Sequence, residues 1–591
     1  MLSLISGAFV LVLMGYTTYA HLLLRAQSDS PMNENSPKTF STLLSYIGRE
    51  QYGEAPLLLP RRYGDVYKRQ IQNYKKYGKW YEPTEVPVTR KDGREITIPK
   101  VTKLNMSGEL NYLLKYQLYH MYLRYFLWNF VGRSSDLQDS DFTMFSKSEA
   151  EIRNFNSGFK DIFPIRFFGL PLFFGLFGLF YHFKADKRMG WIYLVMFLMM
   201  GAFAALAQNQ QEPQPRERDY FYAGSFMVWC MWIGIGVFAL IQYIKEKMGT
   251  ANLTSAVVLA SIVLVPVNMA VGGWKMHSRA GNFLPFDYSY NILQSCEKDA
   301  ILFTNGDNDT FPVWYLQDVD GVRRDIRVVN LSLGNTLWYV DQLKNQSPWG
   351  AKKIPLSFSD ESLRVDENND KALTYELQEA KQVVIPVKPE IMSRFTSNQD
   401  VINRGTMEFV FAGGKYGDMG GKPMYLNKVQ DKLILDILKT TRFERPIYFS
   451  TTAGYPGSET FVGLSEFVRL EGMAYRVCPV PQRGGSTGIA VNESVTEQCL
   501  LNTLADNEFY KEPHYGFKLR NMNDSPVYYD EHHRNYLDSY RRIYLQYANY
   551  LLQERRDKKK AIVVLNKFNE MISPRQFPVS YIDLLNFAEF Y

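Results

Sequence analysis

Long apolar runs joined by short polar turns dominate the first half of this chain, and short alternating runs dominate the second. Residues Leu2 to Leu24 form an apolar stretch long enough to span a bilayer, closed by Arg25. MLSLIS carries no Lys or Arg ahead of that stretch, so it reads as a retained transmembrane helix rather than a secretory signal. Four further runs follow, at about Phe163 to Phe183, Trp191 to Ala207, Tyr220 to Ile244 and Leu253 to Gly272. Their connections are short, which makes consecutive helices antiparallel neighbours. His182 to Gly190 carries Lys184, Lys187 and Arg188 against Asp186, and Lys245 to Asn252 carries Lys245 and Lys247 against Glu246. Basic connections stay on the cytoplasmic side, so the stretch QNQQEPQPRERDYFYAGSF at 208–226 faces out. Threading five spans puts 26–161 and everything beyond Gly272 outside as well.

Between the first and second spans the chain is polar and broken by Pro31, Pro37, Pro56, Pro60, Pro83 and Pro87. Inside it, Asn111 to Phe130 has helical spacing, with Gln117, His120 and Arg124 on one face and an aromatic load around them. That pattern predicts a helix lying in the membrane interface; Lys115 and Arg124 are costly at mid-bilayer.

Past Gly272 the period changes. AILFT at 300–304 and IRVVNL at 326–331 read as buried strands, with a helix between them capped by Thr310 and running to about Val319. Asn335 to Leu343 is the next helix, Val383 to Val387 and Ile447 to Ser450 are further strands, and Leu426 to Leu438 is an amphipathic helix. Strand, helix, strand at this spacing predicts an α/β domain with a largely parallel sheet. Asn535 to Glu554 and Lys558 to Ile572 form a helical pair, Pro574 ends it, and a third helix opens near Ser580. That tail is tetratricopeptide-like, and one such unit cannot bury its own apolar face.

Composition narrows the chemistry. Hydrophobic residues make up 46% of the 591 and aromatics 15%, many of them at the ends of the apolar runs, where interfacial belts lie. A net charge of +6 from 67 basic and 61 acidic residues is too mild and mixed for a nucleic-acid partner. Four cysteines exclude a disulfide-built scaffold, although Cys478 and Cys499 could bridge or stay as thiols. No His/Cys spacing suggests zinc, and His532-His533 reads as a solvated pair.

Three places can carry chemistry. In the outward loop, Arg216, Glu217, Arg218 and Asp219 follow Pro213 and Pro215. Arg216 and Arg218 there can grip a lipid phosphate, or the cluster only stops two helices. In Asn305-Gly306-Asp307-Asn308-Asp309, carboxylates stand at the carboxyl end of a strand, where α/β sheets place ligands. Asp307 and Asp309 with Asn308 can form a ligand loop holding a divalent metal; equally, Asp309 caps the helix and Asp307 holds a turn. Neither a Walker lysine nor GxGxxG accompanies them. Asp29, Glu34 and His21 lie just outside the first span, where Asp29 or Glu34 could act as a general base, and loop solvation explains them as well.

NENSP at 33–37, REQYG at 49–53, MYLRYFLWNFVGR at 121–133, QPRERDYFYAGSF at 214–226 and NGDNDTFPVWYLQDVDGVRRDIRVVNLSL at 305–333 together resemble the bacterial membrane-protein family called domain of unknown function 2723. The resemblance covers essentially the whole chain. That family is common in Bacteroidota, is related to a eukaryotic transmembrane protein O-mannosyltransferase, and belongs with the multispanning glycosyltransferases that use a polyprenyl-phosphate sugar. Full members begin with several more membrane helices and carry an Asp-x-Gly-Glu motif after the first, which this chain does not contain. The resemblance therefore implies the back half of an enzyme, inactive alone, whose catalytic carboxylate lies elsewhere.

The expected fold is a polytopic α-helical membrane protein, part of a multispanning glycosyltransferase-C-like bundle, followed by a soluble α/β domain and a truncated tetratricopeptide-like tail. The expected divisions are a transmembrane helix at 1–25, an extracytoplasmic region at 26–161 with the interfacial helix 111–130, four transmembrane helices at 162–272, a periplasmic α/β domain at 273–525 and the tail at 526–591. By resemblance, the chain sits in the bacterial inner membrane, contacts its lipid, takes a polyprenyl-phosphate sugar as donor and a protein as acceptor. Two other readings compete: a non-catalytic scaffold for envelope or secretion partners, and a soluble metal-dependent sugar or phosphate enzyme centred on Asp307 and Asp309.

Overall fold

A computed structural model describes residues 2–28, 30–50, 59, 61, 76–77, 81–89, 95–144, 162–248, 251–364, 370–419, 421–482, 488–523, 526–574, 577, 588 and 590. The chain divides into two compact units: Met1–Gln51 with Ala280–Val527 and His532–Tyr591, and Tyr52–Arg279 with Tyr528–Glu531.

Among the described residues four helices are long and apolar enough to cross a membrane: Ile5–Gln27 in the first unit, and Lys187–Gln208, Asp219–Lys247 and Thr254–His277 in the second. On that ground the chain is a multi-pass membrane protein. The remaining expected span, Phe163 to Phe183, is shorter than its apolar run. Ile165–Arg166 pair antiparallel with Gly132–Arg133, so the helix starts only at Leu170 and ends at Ala185. Its 16 residues reach about 24 Å, short of a hydrocarbon core of about 30 Å. This helix packs backbone to backbone on Ala223–Met248. A Cβ on Gly178 would lie 1.8 Å from the Trp232 carbonyl, and one on Gly236 would lie 2.1 Å from the Phe174 carbonyl. Only glycines allow that approach. Around the contact, Phe126, Phe130, Phe174, Trp229, Trp232 and Val265 form a buried aromatic core.

In the same unit, Met106–Tyr112, Leu113–Leu123 and Arg124–Phe130 run on as one helix. The helix expected over 111–130 is thus present, and it is two-sided. Tyr112, Tyr116, Gln117, Arg124 and Trp128 are buried, whereas Leu110, Leu114 and Leu123 stay exposed. Strands Tyr81–Thr89 and Glu95–Leu104 add a hairpin the sequence pattern did not announce, because Pro83, Pro87 and Pro99 interrupt its alternation.

The first unit is built on a six-stranded sheet of β1 (Ile301–Thr304), β2 (Arg327–Asn330), β3 (Ile447–Ser450), β4 (Val468–Glu471), β5 (Ala474–Val477) and β6 (Ala490–Val491), in the order β6-β4-β5-β3-β1-β2. The sheet is mixed: β2, β1 and β3 are parallel, β5 runs against both β3 and β4, and β6 is parallel to β4. The expectation of a largely parallel sheet holds for the βαβ half, since only there does a helix connect neighbouring strands. β4 and β5 are joined by a tight turn, which enforces antiparallel pairing. Val383 to Val387 falls outside this sheet: Lys381–Pro386 pairs with Thr406–Phe411 instead. Residues 422–427 are a strand, so the amphipathic helix begins at Val429 and runs to Thr441.

The tail is part of this unit rather than a free repeat. Helix Glu531–Gln553 buries Leu537, Tyr540, Ile543, Tyr544 and Leu551. Asn291 donates to the Tyr540 hydroxyl at 2.7 Å, and the Tyr544 hydroxyl donates to the Leu500 carbonyl at 2.8 Å. The apolar face that one helical pair cannot bury alone is covered by Leu284–Gln294 and Glu493–Leu501. The third helix expected near Ser580 lies outside the described residues. Cys296, Cys478 and Cys499 are buried, unbridged thiols.

Candidate functional site

The 208–226 loop is held by the polar face of the helix that ends at Phe130. Gln117 donates to the Asn209 side chain at 2.6 Å, and the Arg61 guanidinium reaches Gln117 and the Leu206 carbonyl, both at 2.7 Å. The Tyr116 hydroxyl donates to the Gln211 carbonyl at 3.2 Å. His120 pairs with Asp139 at 2.9 Å, which holds the Asp139 carboxyl below its usual range. Glu217 is the anchor. Its carboxylate accepts from Arg124 at 2.8 Å and 3.3 Å, from the Tyr125 hydroxyl at 2.7 Å and from the Asp139 amide at 2.5 Å. The Arg124 side chain is 2% exposed, so this is a largely buried ion pair, and Arg124 also donates to the His120 carbonyl at 3.0 Å and the Ser140 carbonyl at 2.8 Å. Burial, reinforced by Glu217, pushes the Tyr125 hydroxyl far up, keeping it a donor at all ordinary pH.

Pinning Glu217 inward turns its neighbours outward. Arg216 is exposed and makes no hydrogen bond or ion pair among the described residues. Arg218 is half-buried: its amide donates to the Tyr125 hydroxyl, and its guanidinium reaches Gln214 at 3.3 Å and the Tyr220 hydroxyl at 2.9 Å. Of the two arginines marked in the sequence, Arg216 is the unengaged cation, and Arg218 is partly spent on shaping the loop. Glu217 and Arg124, to which no role fell from the sequence, do the holding. The same-face spacing of Gln117, His120 and Arg124 was the legible trace of it.

The second marked stretch resolves by residue. Gly306 caps helix Asp307–Tyr315, and Asp309 sits at its third position, buried. The Asp309 carboxylate accepts from the Asn305 and Gly306 amides at 3.0 Å and 2.8 Å, and from the Thr452 hydroxyl beyond β3 at 2.6 Å. This is the N3 half of a capping box, with no side chain on Gly306 to return the bond, and it displaces the helix start from Thr310 to Asp307. Asp307 and Asn308 are exposed at the carboxyl end of β1, with Asn308 beside the Tyr536 hydroxyl. Glu34 comes close to Asp307: burial and then the Asp307 charge raise the Glu34 carboxyl above its ordinary range. NENSP reaches that place because Asn33 docks on Gln342, which donates to the Asn33 carbonyl at 2.5 Å. Asp29 lies outside the described residues. Among the described residues no group of three or more His, Cys, Asp or Glu is placed to hold a metal.

The second unit also contains an open-sided cavity of about 210 Å³ lined by Trp128, Asn129, Arg133, Asp219, Trp274 and His277, among others. Arg133 and Trp128 come from MYLRYFLWNFVGR and the far wall from the last span; nothing in their sequence spacing joins them.

Residues 285–413 and 416–496 match the family TMEM260-associated domain 2. No solved structure matches the chain.

Proposed function

We propose that this protein works in transfer of a sugar from a polyprenyl-phosphate donor to a protein acceptor at the periplasmic face of a bacterial inner membrane. The observation that carries the reading is Arg216: an exposed, unengaged guanidinium, held out by the buried Glu217–Arg124 pair at the start of the Asp219–Lys247 span. The TMEM260-associated domain match supports it, since that name points to a family related to protein O-mannosyltransferases.

In the reaction an acceptor hydroxyl oxygen forms a bond to the anomeric carbon while the bond from that carbon to the phosphate oxygen breaks. The hydroxyl proton passes to a carboxylate, and the electron pair leaves with the polyprenyl phosphate. Arg216 neutralises the phosphate as charge builds on it, with Arg218 shaping the loop and adding a second guanidinium edge. Such preorganised donors contribute about 3 kcal/mol each in a dry site. Arg216→Ala is expected to abolish sugar transfer in cells while expression is unchanged; transfer at the wild-type rate would refute the role.

A further inference from the structure

Residues lining the cavity of the second unit carry donors with no hydrogen-bond partner among the described residues. Arg133 enters it from the two-stranded pairing of Gly132–Arg133 with Ile165–Arg166. Gly132 makes that possible, because at φ +150 a Cβ there would lie 2.4 Å from the Ile165 carbonyl. The Arg133 guanidinium stacks 3.9 Å from the Trp128 ring centre. One terminal nitrogen reaches the Asp136 carbonyl at 3.3 Å, and the other reaches only the Met276 sulfur at 3.8 Å. Its Nε is buried with no acceptor among the described residues, and so is the Trp128 indole Nε1. No carboxylate forms an ion pair with Arg133 among the described residues; Glu217, Asp219 and Asp136 act on it only at longer range. A half-buried guanidinium with a buried, unpaired Nε and no ion-pair partner among the described residues is costly, and two unpaired N–H donors on stacked side chains ask for one acceptor-rich group.

The rest of the cavity says what that group is attached to. The wall opposite Arg133 is the end of the last span, including Met269, Ala270, Gly273 and Trp274. Trp274 is 72% exposed and Val271 75% exposed on that span, which is the surface a bilayer covers. One side of the site is therefore charged and donor-lined, the other apolar and continuous with lipid. Asp219 also lines it, and its carboxylate opposes a dianion more than a monoanion.

We propose that this cavity seats the phosphodiester of a lipid, with its oxygens accepting from Arg133 and Trp128 and its hydrocarbon leaving past Met269 and Trp274 into the bilayer. This is a second phosphate seat, separate from Arg216 and Arg218, and it does not rest on sugar transfer. Two lipids carry the chemistry: a bilayer phospholipid and a prenyl-phosphate sugar.

The test is native mass spectrometry of the full chain in detergent, titrated in turn with phosphatidylglycerol, a prenyl-phosphate glucose, diacylglycerol and inorganic phosphate. One retained phosphodiester lipid per chain is expected, with diacylglycerol not retained and inorganic phosphate a poor competitor; the tighter lipid identifies the source. Arg133→Gln is expected to weaken retention about tenfold. Gly273→Leu, which fills the cavity without touching its charge, is expected to do the same, because a Cβ there meets only the His277 ring, at 3.4 Å. Should either variant fail to fold, Trp128→Phe removes the indole donor and keeps the stack, and it too is expected to weaken retention. Equal retention of diacylglycerol, wild-type retention by folded variants, or inorganic phosphate competing as well as lipid overturns the proposal. Loss of retention in Arg133→Gln leaves it standing even if no sugar transfer is found in the wild type.

Discussion

Glu217 shows how a residue inside a charged cluster takes its role from its partner rather than from its type. Within Arg-Glu-Arg-Asp, one side chain turns in to Arg124 and the one before it turns out. Removing one member of a buried pair leaves the other uncompensated, so Glu217→Ala should lower stability by about 3 to 5 kcal/mol. Thermal unfolding of the detergent-solubilised protein checks this, and Glu217→Gln should recover part of the loss by keeping the hydrogen bonds. A titration signal is expected from Asp318. Burial raises its carboxyl to about 6, with Arg324 opposing the rise, and one of its oxygens has no hydrogen-bond partner among the described residues. A carboxyl whose folded pKa is raised costs stability when ionised. The unit should therefore become more stable as pH falls from about 6 towards the ordinary carboxyl value near 4. Asp318→Asn should flatten that part of the stability profile, measured by unfolding across the pH range.

At the scale of elements, two helix contacts are decided by single small or capping residues. Gly178 and Gly236 let the Leu170–Ala185 helix meet Ala223–Met248 at backbone distance. Gly178→Leu would force those backbones apart and should cost at least about 1 to 3 kcal/mol, read as a fall in unfolding temperature or in folded yield. The helix after β1 begins where Asp309 reaches back to the Asn305 and Gly306 amides. Asp309→Ala should cost about 1 kcal/mol. The cost should be the same with and without added divalent cation; a cation-dependent difference would restore the metal reading of the loop. Pattern alone located these helices within a few residues. It left Asp309 open between a cap and a metal ligand, with Thr310 as a second cap, because these residue types suit each place equally; the bonds from the Asn305 and Gly306 amides and from Thr452 decide for the cap.

For the whole molecule, the helical tail is the instructive case. Its pair of helices reads as a repeat from spacing, yet its buried face meets Leu284–Gln294 and Glu493–Leu501 within one compact unit. Deleting 532–591 should expose Tyr288, Asn291 and Leu500, so the shortened chain should lose the protease resistance of its α/β region. An unchanged digestion pattern would mean that the tail folds apart from it.

The sequence by itself determined the elements whose signal is local. The apolar runs at 191–207, 220–244 and 253–272 follow from length and hydropathy and fall on the long helices 187–208, 219–247 and 254–277, and β1, β2 and β3 follow from short buried runs flanked by turns. Tertiary structure alone decided which cations remain available. Arg124, Arg216, Arg218 and Arg133 are indistinguishable by type, but only contacts from distant segments separate them. Arg124 meets Glu217, Arg218 is tied through its amide to Tyr125, Arg216 meets no hydrogen-bond or ion-pair partner among the described residues, and Arg133 faces a helix more than 130 residues on. Charge is written along the chain, whereas its neutralisation depends on what folds against it.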